Sequence, residues 1–248
     1  MKILITGTTG FLGRSLKEHF EKTHTVVEWN RGDMGIVSFI MVHRPDIMIH
    51  CAGEIYKTEF MFSTNVTMVN DILNTIRDHS PTTRLIQIGS SSEYGPVARP
   101  TAETDPINPQ NLYESTKGAA TLLCQSYARQ YGIDTCVARI YSGYGAYERP
   151  HRLFPKLFRA FFHNEPMSLF AGTHDFIYID DFVRGIDLLI NSTWPKGEIV
   201  NLGTGTQYSN KQVLEAWERV TGITAPVSYE DRFLKAHDTK FWCCDPSY

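Results

Sequence analysis

Lys2-Ile3-Leu4-Ile5-Thr6-Gly7-Thr8-Thr9-Gly10-Phe11-Leu12-Gly13 reads as a short apolar strand, a glycine turn and the opening of a helix. Glycines at GxxGxxG spacing let the chain turn sharply and let a ligand reach the backbone, because no Cβ stands in the way. The helix that follows presents free N–H groups at its start, which suits an anion such as a pyrophosphate. A lone glycine triplet says little, but one set between a strand and a helix is a specific dinucleotide signal. Gly7, Thr9, Gly10, Phe11, Leu12 and Gly13 are therefore the first candidate contacts. The competing reading is a tight strand-to-helix turn with no ligand.

Outward from this turn, brief β-rich runs alternate with segments of helical period. Strands are expected at Ile3 to Thr6, Thr25 to Trp29, Ile47 to His50, Leu85 to Ile88 and Ile133 to Arg139. Helices are expected at Phe11 to Phe20, Ile36 to Val42, Asn65 to Asp78 and Tyr113 to Tyr131, with Pro45, Pro81 and Pro109 as breaks. That rhythm predicts an α/β fold, a doubly wound parallel sheet of Rossmann type. After Tyr141 the loops lengthen, with helices near Leu153 to His163, Asp180 to Ile190 and Asn210 to Thr221. The expected division is a dinucleotide-binding domain over residues 1–141 with parts of 175–203, and a smaller C-terminal substrate lobe mainly over 142–248.

The length of 248 residues is enough for such a core. A net charge of −3 with mixed signs offers no basic stripe for nucleic acid or an anionic membrane, so neither partner is expected. The apolar start is interrupted at Thr6-Gly7 before a signal or spanning segment is complete. The five cysteines form neither an even disulfide framework nor a zinc spacing, so no metal is expected and a reducing cytoplasm fits best.

The end of the second strand, Val26-Val27-Glu28-Trp29-Asn30-Arg31, bears on the choice of dinucleotide. An acidic residue there would accept from the ribose 2′-OH of NAD, whereas Arg would pair with the 2′-phosphate of NADP. By register Asn30 takes the acidic position and Arg31 follows it, so the cofactor is read as NAD(P), leaning to NADP. Glu28 as ribose ligand, with the register displaced by two, and Arg31 as a plain surface charge are the alternatives.

Tyr113-Glu-Ser-Thr-Lys117 sets Tyr and Lys one helical turn apart, where a lysine would favour the phenolate and let Tyr113 exchange a proton near neutral pH. With 12 tyrosines in the chain, such a pair alone is weak. The segment Leu85-Ile-Gln-Ile-Gly89-Ser90-Ser91-Ser92-Glu93-Tyr94-Gly95 strengthens it, because a strand running into hydroxyls delivers them to the crevice at the carboxyl ends of the strands.

Together with Arg44-Pro45-Asp46, Cys51-Ala52-Gly53, Asn65-Val66, Arg139 to Gly145, Asp175 to Asp181 and Asn201 to Gly205, these segments closely resemble the extended short-chain dehydrogenases/reductases. That family comprises NAD(P)-dependent nucleotide-sugar epimerases, 4,6-dehydratases and 4-keto reductases. The resemblance implies that Tyr113 is the acid/base, that Lys117 tunes it and binds the nicotinamide ribose, and that Ser90, with Ser91 as fallback, holds the substrate hydroxyl. It implies that Cys51, Ala52, Gly53 and Asn65 lie along the dinucleotide, that Asp33 reaches the adenine, and that Tyr141 borders the nicotinamide. Hydride transfer at C4 of the hexose would follow, and a homodimer through Asn65 to Asp78 and Tyr113 to Tyr131, unless those faces pack within the monomer.

The chain also departs from the pattern. The dehydratases carry an Asp-Glu pair where Ser91 and Ser92 stand, so C4 epimerisation or 4-keto reduction is favoured, and Glu93 alone keeps a dehydratase reading open. Ser92 and Glu93 are then expected to border the substrate. His174 stands where an Arg grips the diphosphate, leaving Arg152 or Arg232 as substitutes or as surface charges. The chain stops at Tyr248 where the family continues through another helix, which leaves the completeness of the substrate lobe open. A non-catalytic NAD(P)-binding sensor is the reading from another class, although a sensor needs no Tyr113, Lys117 or serine run.

Overall fold

The computed structural model describes residues 1–233 and 241–247. Its centre is a six-stranded parallel sheet in the order β2-β1-β3-β4-β5-β9, formed by β1 (Lys2–Thr6), β2 (Thr25–Trp29), β3 (Ile47–His50), β4 (Arg84–Ser90), β5 (Thr135–Ile140) and β9 (Glu198–Leu202). Each strand is apolar on both faces, as a sheet covered twice requires. Leu4, Met48, Leu85 and Val137 pack to one side, while Ile3, Ile5, Ile47, Ile49, Ile86 and Ile88 pack to the other.

Three helices cover the first side: α2 (Ile36–His43), α4 (Met68–His79) and α5 (Leu112–Tyr131). On the second side lie α1 (Phe11–Phe20) and α7 (Ile179–Asn191), which meet each other. Only α2 separates β2 from β3, so β2 takes one flank of β1 and β3 takes the other. The strand order thus reverses at β1, which is where a doubly wound sheet opens its ligand crevice.

Before α4 the chain makes a single turn, α3 (Thr58–Phe62), and then a π-helical turn over Ser63–Thr67. Such turns are rare and often accompany a functional site; this one buries Thr64 and Asn65. After β5 come β6 (Ser142–Tyr144), α6 (Leu153–His163), β7 (Met167–Ala171) and β8 (Thr173–Tyr178). Beyond β9 lie β10 (Gln207–Ser209), α8 (Asn210–Thr221) and β11 (Val227–Phe233). They build a β10-β8-β6 sheet and a β11-β7 sheet, neither legible as strands in the sequence. A separate apolar cluster of Leu157, Ala160, Phe161, Leu169, Val213, Leu214 and Ala225 lies among them. No helix among the described residues is long and apolar enough to cross a membrane.

Candidate active site

The turn after β1 is shaped for a ligand. Gly7 adopts φ +72°, and a Cβ there would stand 2.8 Å from the backbone nitrogen of Ala52. A Cβ on Gly13 would lie 2.3 Å from the Gly7 carbonyl oxygen. Gly10 donates its N–H to that same oxygen at 2.9 Å and caps α1 without any side-chain acceptor, and the first turn of α1 contains no acid. Its leading N–H groups are thus left for an anion. Phe11 and Leu12 offer only backbone here, since their side chains pack into the core.

Beside this turn opens a cleft of about 370 Å³. Gly7, Thr9 and Gly10 form one wall, Trp29, Asn30 and Arg31 the second, and Cys51, Ala52, Gly53 and Glu54 the third, with Thr64, Met68 and Arg149 at the rim. The floor is tied by Thr6, whose hydroxyl lies 2.7 Å from His50 Nδ1 and accepts the Ala52 N–H at 3.1 Å. Burial holds His50 down at about 3, so its ring is neutral. Burial likewise pushes the Cys51 thiol up to about 12, an inert lining group. A glycine cradle that no Cβ would fit, an uncapped helix and an elongated cleft together suit a dinucleotide diphosphate.

Several expected contacts have other employment. Asp33 accepts the Asn30 N–H at 2.7 Å, closing the turn after β2, and is not part of the cleft wall. Glu28 pairs with Lys17 of α1 at 2.7 Å, while Asn30, which lines the cleft, accepts from the Thr8 hydroxyl at 3.2 Å. Asn65 spends its amide on the wall: Oδ1 accepts from Glu54 N at 2.8 Å, and Nδ2 donates to Glu54 O at 2.9 Å and to Thr116 Oγ1 at 3.0 Å. It ties the Glu54 backbone to α5 through Thr116. Tyr141 is buried, hydrogen bonded to Thr101 and packed against Gly203.

The catalytic candidates meet at the end of β4. Ser90 closes that strand and starts a 3₁₀ turn over Ser91–Tyr94, which a capping box between Ser90 and Glu93 holds. Tyr113, in the first turn of α5, brings its phenol near the Ser90 hydroxyl, which acts to lower its pKa. That helix begins where it does because Asn111 caps the Glu114 N–H at 3.0 Å. Burial raises the Tyr113 phenol above its ordinary 10.0, and the Ser90 hydroxyl opposes that rise. Lys117 is buried and gives its ammonium to the Ile88 carbonyl at 2.6 Å, and burial lowers its pKa. Among the charges acting on the Tyr113 phenol, Arg152 lowers its pKa and Glu93 raises it.

Ser92 and Ser90 share a hydroxyl contact of 2.7 Å, which places Ser92 beside the pair. Ser91 is buried and accepts a 3.0 Å hydrogen bond from the indole N–H of Trp242, a neighbour that sequence reasoning missed because 151 residues separate them. Glu93 is withdrawn from any contact with substrate. It is fully buried, accepts from Ser90 N at 2.8 Å and Thr121 at 2.7 Å, and is ion-paired to Arg139 Nε at 2.9 Å. The dehydratase reading loses its one carboxylate.

Arg152 stands near Tyr113 and pairs with Glu148 at 3.5 Å. Arg232, on β11, pairs with Glu230 at 2.7 Å and lies over the Phe170 ring of β7, contacts that involve neither the cleft nor the Ser90–Tyr113 pair. His174 sits on β8, 3.2 Å from the Ser142 hydroxyl and against the Phe176 ring. Cleft-lining Arg149 was not anticipated; Glu54 and Met68 were missed as well, since nothing in their local sequence marks them.

The sheet, the glycine cradle and the Ser–Tyr–Lys arrangement define a dinucleotide-dependent enzyme of the extended short-chain dehydrogenase type. The family model "NAD dependent epimerase/dehydratase family" matches residues 3–203, and the chain belongs to that family. It is similar to the UDP-glucuronate 4-epimerase of Thermodesulfobacterium geofontis, at 33% identity over 72% of this chain and 56% of that protein. It also resembles the uncharacterized UDP-glucose epimerase YtcB of Bacillus subtilis (strain 168), at 25% identity over 94% of this chain and 86% of the relative. In fold it matches the crystal structure of the UDP-glucuronic acid 4-epimerase from Bacillus cereus in complex with UDP-glucuronic acid and NAD. The TM-score is 0.87, with 23% identity, 99% of this chain and 90% of the other being covered.

Substituting Gly13→Ala tests the cradle. The added Cβ meets backbone, which cannot swing aside, and relief by main-chain shift costs about 1–3 kcal/mol. Dinucleotide affinity is expected to fall roughly 10- to 100-fold in a fluorescence titration, while an exposed Gly35→Ala control, whose Cβ would meet nothing within 4 Å, leaves it unchanged.

Proposed function

We propose that this chain inverts C4 of a nucleotide-activated hexose, using a dinucleotide held in the cleft between the glycine turn, β2 and β3. The observation that carries this reading is the closeness of Ser90 and Tyr113 at the carboxyl end of β4, with the nearby carboxylate Glu93 locked to Arg139. A nicotinamide bound there would supply hydride acceptance and return at the sugar carbon. Tyr113 takes the proton from the C4 hydroxyl and later gives it back, and Ser90 holds the same oxygen and its developing charge. Lys117 supports Tyr113 and reaches the nicotinamide ribose. Arg152, beside Tyr113, faces the sugar-nucleotide diphosphate. Two relatives described as 4-epimerases or as a UDP-glucose epimerase support a UDP-hexose as substrate.

One observation favours a second reading, 4-keto reduction with NADPH. At the ribose end of the cleft stand Asn30 and the 70% exposed side chain of Arg31, whose nearest counter-charge, Glu54, is 3.9 Å away. The acidic residue that follows β2, Asp33, is occupied by the Asn30 N–H at 2.7 Å. If Arg31 receives a 2′-phosphate, Arg31→Ala should weaken NADPH binding about 10-fold and leave NADH binding within a factor of two. Equal affinities in the wild type, unchanged by the substitution, would reject the NADP preference.

We place the substrate lobe in residues 142–248 around the Leu157–Leu214 cluster, and the dinucleotide domain in 1–141 with parts of 175–203. A homodimer through α4 and α5 is supported by exposed Leu112 and Leu122 on α5 and by Phe60 and Phe62 on the preceding α3. The free thiols of all five cysteines suit the cytoplasm.

A further inference from the structure

Between β6 and α6 the chain crosses the cleft rim and is fastened on both sides. Tyr147 takes φ +69°, a conformation uncommon for a bulky residue. Its side chain reaches α1, where the hydroxyl donates to Glu18 at 3.0 Å and the ring lies 3.8 Å from the Arg14 guanidinium. At the other end His151 Nε2 lies 2.7 Å from the Tyr56 hydroxyl, the two rings meeting edge to face at 5.2 Å. Tyr56 belongs to the loop after β3, which Glu54 clamps by accepting the N–H groups of Ile55, Tyr56 and Lys57. Between the fastenings, Arg149 packs its guanidinium 5.0 Å over the Tyr56 ring and lines the same cleft as Gly7, Thr9 and Gly10.

We propose that residues 147–152 form a strap over the dinucleotide cleft that retains the cofactor from one turnover to the next, with Tyr147 and His151 as its fastenings and Arg149 as the cation facing the anionic ligand. The inference rests on the dinucleotide reading above and deepens it. Each fastening lies near the surface and is weak alone, and the two act together because one short segment joins them. Opening the strap is then the step that precedes release, as loops over active sites commonly govern exit. A strapped dinucleotide suits C4 inversion, in which hydride taken from the sugar is returned to it and the cofactor is never exchanged.

The test uses the full-length protein loaded with NADH or NADPH and chased with excess oxidised dinucleotide, following nicotinamide fluorescence. Tyr147→Phe removes only the hydroxyl that reaches Glu18, and Tyr56→Phe only the one that meets His151, so both rings stay packed. Each substitution is expected to speed release about threefold to fivefold and the pair at least 10-fold, the size of one and two lost surface hydrogen bonds. Thermal midpoints measured without dinucleotide should not move, which separates a strap from a merely structural loop. Release from the double variant at the wild-type rate would overturn the strap alone. Wild-type protein that takes up neither dinucleotide would overturn the cofactor reading and the strap together.

Discussion

Tyr113→Phe is expected to lower turnover of the nucleotide-sugar about 1,000-fold while leaving dinucleotide affinity within a factor of three. The substitution keeps the ring, and with it the packing at the start of α5, and deletes only the oxygen that lies near Ser90. Proton exchange with the C4 hydroxyl then has no acceptor. Ser90→Ala should cost less, roughly 10- to 100-fold, because it removes one donor to the reacting oxygen and leaves the base in place. Single-turnover absorbance at the reduced nicotinamide band, with binding measured separately, distinguishes the two. If Tyr113→Phe retained a tenth of the wild-type rate, the phenol would not be the acid/base.

The second large effect concerns folding. Glu93→Gln should destabilise the protein by about 3–5 kcal/mol in urea denaturation, since the Arg139 side chain is 2% exposed and would be left charged without its carboxylate. Arg139 is already short of partners, with Nη1 unpaired in the interior and its guanidinium 4.5 Å over the Tyr94 ring. Glu93 also fixes the Ser90 N–H, so the damage should reach the catalytic turn as well as the core. Replacing both members, as Glu93→Gln with Arg139→Met, should recover part of the lost stability, because no buried charge then stands alone. Additive losses in the double variant would show that the pair does not act as a unit.

These residues also show what a sequence discloses. The β1 turn and α1 were legible because everything that shapes them is local: apolar run, glycine spacing and helix start lie within Lys2 to Gly13. Tyr113 and Ser90 were legible for a related reason, since each sits at a fixed point of a local element, a strand end or a first helical turn. Glu93 looked available because its neighbours in sequence are serines. Its true partner, Arg139, arrives through the β4–β5 register that sets Gly89 opposite Arg139. The contact of Tyr141 with Thr101 is hidden in the same way, since Thr101 comes from a distant loop. Trp242 on Ser91, and the strap contacts of Tyr147 and His151, join segments with no common periodicity, so only the folded chain displays them.

Confinement of the chemistry to C4 of a nucleotide-activated hexose can be checked by running the reaction in deuterium oxide. UDP-glucuronic acid, UDP-glucose and dTDP-glucose would be supplied in turn with NAD or NADP, and the products read by proton NMR. The account predicts a C4-inverted UDP-hexose from at least one donor, with the hydrogen at C4 retained from substrate and no deuterium at C5. A 4-keto-6-deoxy product carrying deuterium at C5 would contradict it, because that outcome requires a carboxylate acid/base pair which Ser91, Ser92 and the buried Glu93 do not provide.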